Sequence, residues 1–256
     1  MSSLAIEMIP VLSDNYVYLV HDAATGTTGV VDPAVAAPVM EWLAAKGWSL
    51  DWILSTHHHA DHTGGNLELK QATGCRIAGP GKDAARIPGI DVKLLEGDRF
   101  KLGEAEAEVF ETPGHTSGHI SFWFPESNAL FCADTLFSLG CGRLFEGTPE
   151  DMWTSLRKFA DLPDQALVYC GHEYTQSNAR FALSVDPDNG ALKARAAEVD
   201  QQRAAGKPTV PTTLGQERAT NPFLRPDNPA IRKQLGMENA DDVQVFAEIR
   251  RLKDSF

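Results

Sequence analysis

Three observations predict an α/β protein with two sheets covered by helices and a helical region at its carboxyl end. Short apolar runs rich in β-branched and aromatic residues recur from Ala5 to Cys170. Helical patterns lie between some of them. After His172 the helical patterns continue and the strand-like runs stop.

The predicted strands are Ala5 to Val11, Tyr16 to Val20, Thr28 to Val31, Trp52 to Leu54, Cys75 to Ala78, Ala107 to Phe110, Ile120 to Phe124, Ala129 to Cys132 and Ala166 to Cys170. Each is short, apolar and bounded by turn-forming residues. Pro38 to Lys46, Asn66 to Ala72 and Pro149 to Ala160 read as helices. The last opens with Thr148 as N-cap, Pro149 in the first position and Asp151 in the first turn. Beyond His172, helices are predicted over Glu173 to Leu183, Ala191 to Ala205, Asn228 to Leu235 and Asp241 to Lys253. The prolines at 208 and 211 make Gly206 to Thr213 an extended connection. No repeat or low-complexity tract interrupts the pattern.

With 256 residues, 43% of them hydrophobic, the chain can bury a substantial core. Its formal net charge of -12 argues against nucleic acid or an anionic membrane as partner, since both select a basic field. Any anionic substrate must meet a local basic patch. The first residues, Met1 to Glu7, lack the pattern of a secretory leader, and no apolar run is long enough to span a bilayer. A soluble, cytoplasmic monomer is therefore expected. Cys75, Cys132, Cys141 and Cys170 lack C-x-x-C spacing and read as buried free thiols.

The chemistry concentrates in Thr56-His57-His58-His59-Ala60-Asp61-His62, directly after an apolar run. Imidazole nitrogens and carboxylate oxygens at this density suit zinc, iron or manganese, with donors enough for more than one ion. Asp32, His115, Asp134 and His172 each follow the end of another apolar run. Loops at the carboxyl ends of neighbouring strands gather on one edge, where α/β proteins build sites. Singly, each has a plainer use: Asp32 before a proline as a turn residue, Asp61 as a helix cap, His115 after a Pro-Gly turn. Together they favour a two-metal site. An extended backbone would turn His58 away from its neighbours. His119 is expected to orient a ligand, and His21 to lie on the surface.

His57-x-His59-x-Asp61-His62, followed by His115, Asp134 and His172, resembles the metallo-β-lactamase superfamily. That resemblance implies a four-layered αβ/βα sandwich in which His57, His59 and His115 hold one metal and Asp61, His62 and His172 the second. Asp134 would bridge the two, and Asp32 would orient a ligand histidine. The segments Leu139 to Thr148, Gly171 to Thr175, Asn221 to Arg225 and Ile249 to Phe256 are similar to the glyoxalase II, or hydroxyacylglutathione hydrolase, family. The resemblance implies a metal-binding catalytic domain over 1–173 and a helical glutathione-binding domain over 174–256.

The implied activity is hydrolysis of S-D-lactoylglutathione and related 2-hydroxyacyl thioesters, the second step of methylglyoxal detoxification. Two divalent ions, zinc foremost with iron or manganese as alternatives, would supply a shared hydroxide. Asp61 and Asp134 would be catalytic as well as ligating. Glutathione carries carboxylates, and Arg250, Arg251 and Lys253 offer cations. The resemblance assigns Arg143, Tyr174, Arg250 and Lys253 to that moiety, and Phe145 stands where some members carry tyrosine. A single-iron glutathione persulfide dioxygenase is the alternative, against which the length of the helical region is expected to count.

Overall fold

The computed structural model describes residues 3–256; Met1 and Ser2, where the reading of a leaderless start begins, lie outside the described residues. Two six-stranded sheets form the centre. The first contains β1 (Ala5–Val11), β2 (Asn15–Asp22), β3 (Thr27–Val31), β4 (Trp52–Leu54), β5 (Arg76–Pro80) and β6 (Val92–Leu94), in that order. Its first three strands are antiparallel, and β3 to β6 run parallel. The second contains β7 (Arg99–Leu102), β8 (Ala105–Glu111), β9 (Ile120–Phe124), β10 (Ala129–Ala133), β13 (Leu167–Cys170) and β14 (Thr212–Thr213), in spatial order 14-13-10-9-8-7. A small hairpin of β11 (Leu136–Phe137) and β12 (Gly140–Cys141) follows β10.

Strand alternation explains the layering, because successive side chains leave opposite faces of a sheet. On β2, Tyr16, Tyr18 and Val20 enter the core between the sheets, while Val17 and Leu19 point outward into a second cluster. That cluster is covered by Val39 and Leu43 of α1 (Ala36–Lys46) and Leu69 of α3 (Asn66–Thr73). The short α2 (Ala60–Thr63) lies between them in the chain.

On β10, Ala129 and Phe131 face inward while Leu130 and Cys132 face outward. The outward pair meets α4 (Pro149–Arg157), α7 (Leu214–Thr220), α8 (Pro229–Leu235) and α9 (Asp242–Asp254). A third group joins Leu139 to α5 (Thr175–Val185) and α6 (Gly190–Ala204). The order helix, sheet, sheet, helix is the four-layered αβ/βα sandwich, with helices added after the last long strand.

Several short elements depart from the sequence expectation. Val92–Leu94 and Arg99–Leu102 are strands, the latter alternating exposed Arg99 and Lys101 with buried Phe100 and Leu102 over only four residues. The connection from Gly206 to Thr213 ends in β14, which pairs with β13, so the region after His172 does contribute a strand. Two residues carry no periodicity, and only the tertiary pairing defines them. Helix α7 is a further addition, opened by a reciprocal capping box between Thr213 and Gln216.

Phe131 lies in the inter-sheet core, fully buried, stacked on the Tyr169 ring at 4.9 Å and tilted 60° against the Tyr18 ring at 5.6 Å. Replacing it by alanine removes a ring from a close-packed interior. Phe131→Ala should cost about 3–5 kcal/mol in chemical denaturation; a loss below about 1 kcal/mol would mean that the sheets close over the gap.

Candidate metal centre

The carboxyl ends of five strands meet at one edge of the sandwich. Asp32 follows β3, the His-rich stretch follows β4, His115 follows β8, Asp134 follows β10 and His172 follows β13. Two links hold the edges of the sheets together: Ile120 N donates to Thr56 O at 2.9 Å, and Tyr16 N donates to Gly171 O at 2.9 Å. Both strand-end aspartates need unusual backbone. Asp32 has φ 48°, and Ala133, just before Asp134, has φ 38° at a register shift between β10 and β13.

Two groups of donors result. In the first, His59 Nδ1 lies 3.2 Å from His57 Nε2 and 3.0 Å from His115 Nε2. In the second, His62 Nε2 lies 3.3 Å from His172 Nε2, and both lie 3.5 Å from Asp61 Oδ2. Asp134 sits between them, 3.3 Å from His115, 3.4 Å from His62 and 3.5 Å from His172. A tetrahedral ion with bonds of about 2.0–2.1 Å sets its nitrogens roughly 3.3 Å apart, so these spacings fit a shared ion. Asp134 Oδ1 is buried without a hydrogen-bond partner, as a carboxylate awaiting a cation would be. The residues present therefore fit divalent metal.

The four histidines that present Nε2 all have an acceptor at Nδ1. His57 faces Thr56 Oγ1 at 2.9 Å, His62 faces Asp32 Oδ2 at 3.1 Å, His115 faces Arg143 O at 2.9 Å and His172 faces Asp14 Oδ1 at 2.8 Å. Donation at Nδ1 leaves the Nε2 lone pair aimed inward. Asp32 also accepts from Thr56 N and Oγ1, so both its oxygens are engaged behind His62, although it groups spatially with His57 and His62. Asn15 Nδ2 donates to Asp61 Oδ2 at 3.0 Å and fixes that carboxylate.

Burial holds His57, His59 and His115 below the ordinary imidazole range. Burial would lower His62 too, but Asp134, Asp32 and Asp61 outweigh it and push His62 up to about 9. Burial pushes Asp134 upward, yet His62, His172 and His115 hold its carboxyl well below the carboxylate range. The centre is thus a buried anion ringed by imidazoles.

Asp14 and Asn15 join the site without having been singled out by sequence pattern, and Thr56, which opens the His-rich stretch, gains a role as the partner of His57 Nδ1. The first two have the look of ordinary turn residues between strands, and only the crossing of the β1–β2 turn to the His172 loop gives them a role. His58 turns away as expected, its Nδ1 3.0 Å from Asp83. His119 departs from expectation: its Nδ1 faces Thr112 and Thr135, Nε2 has no partner, and its ring stacks on His57 at 4.8 Å. It meets His57 by ring packing, not by a hydrogen bond. His21 is half-buried, stacked on Trp48. All four cysteines are buried and free, with burial pushing Cys141 up to about 11.

A cleft of about 430 Å³ opens from the donors. His59, Asp61, His115, Asp134 and His172 form its floor, and Arg143, Tyr174, Arg250 and Lys253 form its walls with Phe137 and Phe145. The Tyr174 ring stacks on His172 at 4.7 Å. Burial, with Arg250 and Arg143 nearby, lowers the Lys253 pKa, Asp254 opposing the fall only in part. Arg250 is largely engaged already: it donates to Cys141 O at 2.9 Å, pairs with Asp254 at 2.7 Å and covers the Phe223 ring. Arg251 does not join them. It is exposed and paired with Glu248 at 2.7 Å, because a helix separates adjacent residues onto different faces.

Comparison with known proteins agrees with this geometry. The family profile of the metallo-β-lactamase superfamily matches residues 12–172, and the profile described as hydroxyacylglutathione hydrolase C-terminus matches residues 173–256. A hydroxyacylglutathione hydrolase from Rhodospirillum rubrum is 60% identical over 256 residues, covering all of both chains. Among solved structures, ETHE1 from Myxococcus xanthus has a TM-score of 0.69 at 23% identity, covering 96% of this chain and 90% of its own, a likeness of fold alone. TTHA1623 in a di-iron-bound form has a TM-score of 0.56 at 26% identity, covering 66% of this chain and 91% of its own.

Gly171 marks how little room the centre leaves. A Cβ there would lie 2.5 Å from Asp134 Oδ1 and 2.7 Å from His62 Cε1. Gly171→Ala should therefore lower the metal bound per chain, read by elemental analysis, while circular dichroism stays that of the folded protein; undiminished metal content would refute the tight cradle.

Proposed function

This chain belongs to the hydroxyacylglutathione hydrolase family of the metallo-β-lactamase superfamily, and from that membership we propose how its cleft hydrolyses a glutathione thioester. The chain is a metal-dependent thioester hydrolase. We assign S-D-lactoylglutathione and related 2-hydroxyacyl thioesters as substrates. One observation carries the reading: a single cleft joins the two donor groups to a patch of cations suited to the glutathione carboxylates.

His57, His59 and His115 would hold one ion, Asp61, His62 and His172 the other, and Asp134 both. Ions bound there would supply an activated water and an electrophile for the thioester carbonyl. Asp61, fixed by Asn15 and partly open to the cleft, is placed to accept a proton from the attacking water. Asp32, Thr56 and Asp14 keep the imidazoles in one tautomer while the charge at the centre changes. Arg143, Tyr174, Arg250 and Lys253 bind the glutathione moiety, which does not react, and so orient the acyl carbon over the centre. Thiolate is a good leaving group and requires no strong acid.

We read two ions, zinc first, with iron or manganese accepted by the same nitrogen and oxygen donors; the di-iron form of TTHA1623 supports a pair. We also assign residues 1–173 to metal binding and 174–256 to glutathione. The cleft supports that division, since its floor comes from the first part while Tyr174, Arg250 and Lys253 come from the second. A single-iron glutathione persulfide dioxygenase is the second reading. The sequence match over residues 173–256 favours the hydrolase. Among the described residues no helix is long and apolar enough to cross a membrane. The free thiols suit the reducing cytoplasm.

Chelation should abolish hydrolysis of S-D-lactoylglutathione and re-addition of zinc should restore it; full activity in verified metal-free protein would overturn the mechanism. Lys253→Ala should raise KM roughly tenfold with little change in kcat, since it removes binding of a part of the substrate that does not react. A fall in kcat at constant KM would contradict that role.

A further inference from the structure

The middle histidine of the His-rich stretch joins neither donor group, and its side chain leads to a charged network beside the cleft. His58 Nδ1 lies 3.0 Å from Asp83 Oδ2, and Arg86 Nη1 lies 3.2 Å from His58 Nε2. Arg86 donates to Asp83 Oδ1 at 2.9 Å from Nε, and spans both oxygens of Glu146 through its two terminal nitrogens, 2.9 Å at Oε2. Glu146 Oε2 also accepts from Ser117 N at 2.8 Å and Ser117 Oγ at 2.9 Å. Four chain segments converge on one fork-to-fork ion pair.

Glu146 lies in the segment between β12 and α4 that brings Arg143 and Phe145 to the cleft. Close backbone approach holds both ends of that segment. A Cβ on Gly142 would lie 1.9 Å from Asp134 O, and one on Gly147 would lie 2.6 Å from Gly114 Cα. Between these ends, His115 Nδ1 bonds to Arg143 O, and the Phe145 ring packs against His59 and His115. Glu146 ties the outer part of the segment to Ser117 and Arg86.

We propose that the Arg86–Glu146 pair is a clamp that positions Arg143 against the substrate, an inference that rests on the thioester reading of the cleft. Glu146 and Arg86 are then positioning residues: neither lines the cleft, and both act through Arg143. Pairs this close to solvent add little stability. Their effect is on where Arg143 sits, and a binding group moved from its place holds the substrate less tightly. Anchoring the network on His58 gives the second histidine of the run a purpose that metal binding does not.

A kinetic cycle of Glu146→Gln and Arg143→Ala tests this, with metal content and Tm measured for each variant. Glu146→Gln should raise KM roughly tenfold with kcat near that of the parent and metal content unchanged, and should add nothing further in the Arg143→Ala background. Additive effects of the two changes, or an unchanged KM in Glu146→Gln, would overturn the clamp. Should Arg143→Ala itself leave KM unchanged, the assignment of the cleft falls and the clamp with it. If Glu146→Gln folds poorly, Arg86→Ala enters the same cycle and must give the same non-additive rise.

Discussion

A buried carboxylate with an oxygen that accepts no hydrogen bond is tolerable only beside positive charge, and Asp134 is such a group. Everything around it answers that constraint. Three imidazoles stand within 3.5 Å, and burial alone would drive the carboxyl neutral without them. The imidazoles of each group are themselves crowded, with ring nitrogens 3.0 to 3.3 Å apart, an arrangement that a shared cation relieves. Each Nε2-presenting imidazole is held in that orientation from behind, by Thr56, Asp32, Arg143 O or Asp14.

The sandwich makes such crowding possible. Loops alone would not keep so many donors in register, but strand ends fixed by two hydrogen-bonded sheets can. The left-handed backbone at Asp32 and Ala133 turns the chain sharply where each strand stops, so the carboxylates face the gap between sheets instead of continuing along the strand. Such conformations are costly and persist where surrounding structure over-determines them. Here the over-determination is visible in Thr56, which donates twice to Asp32.

Much of this is legible in the sequence, and the reasons for the exceptions are physical. Apolar runs such as Ile120–Phe124 and the capped helix at Pro149 show their boundaries, or nearly so, because local pattern and tertiary burial agree there. The convergence of the candidate donors is legible because seven imidazole or carboxylate groups at strand ends have few other uses. Asp14 and Asn15 are not, since their importance depends on a turn crossing to the His172 loop, with Asp14 and His172 158 residues apart in the chain. His119 has the residue type of a ligand helper but the surroundings of a stacking partner, and residue type alone cannot separate the two. Arg250 and Arg251 are neighbours in the chain with opposite environments, a distinction that lies in the helix phase.

The short strand β14 has a bearing on how this fold avoids self-association. A strand such as β13, ending in the His172 loop, would otherwise expose an open row of amide and carbonyl groups at the border of the second sheet. Thr212 and Thr213 cover part of that border, and the helices after them cover the apolar face formed by Leu130, Cys132 and Val168. The helical region is therefore a shield for the second sheet. A chain cut before it would carry a sticky edge and an oily face, and its natural fate would be aggregation before chemistry.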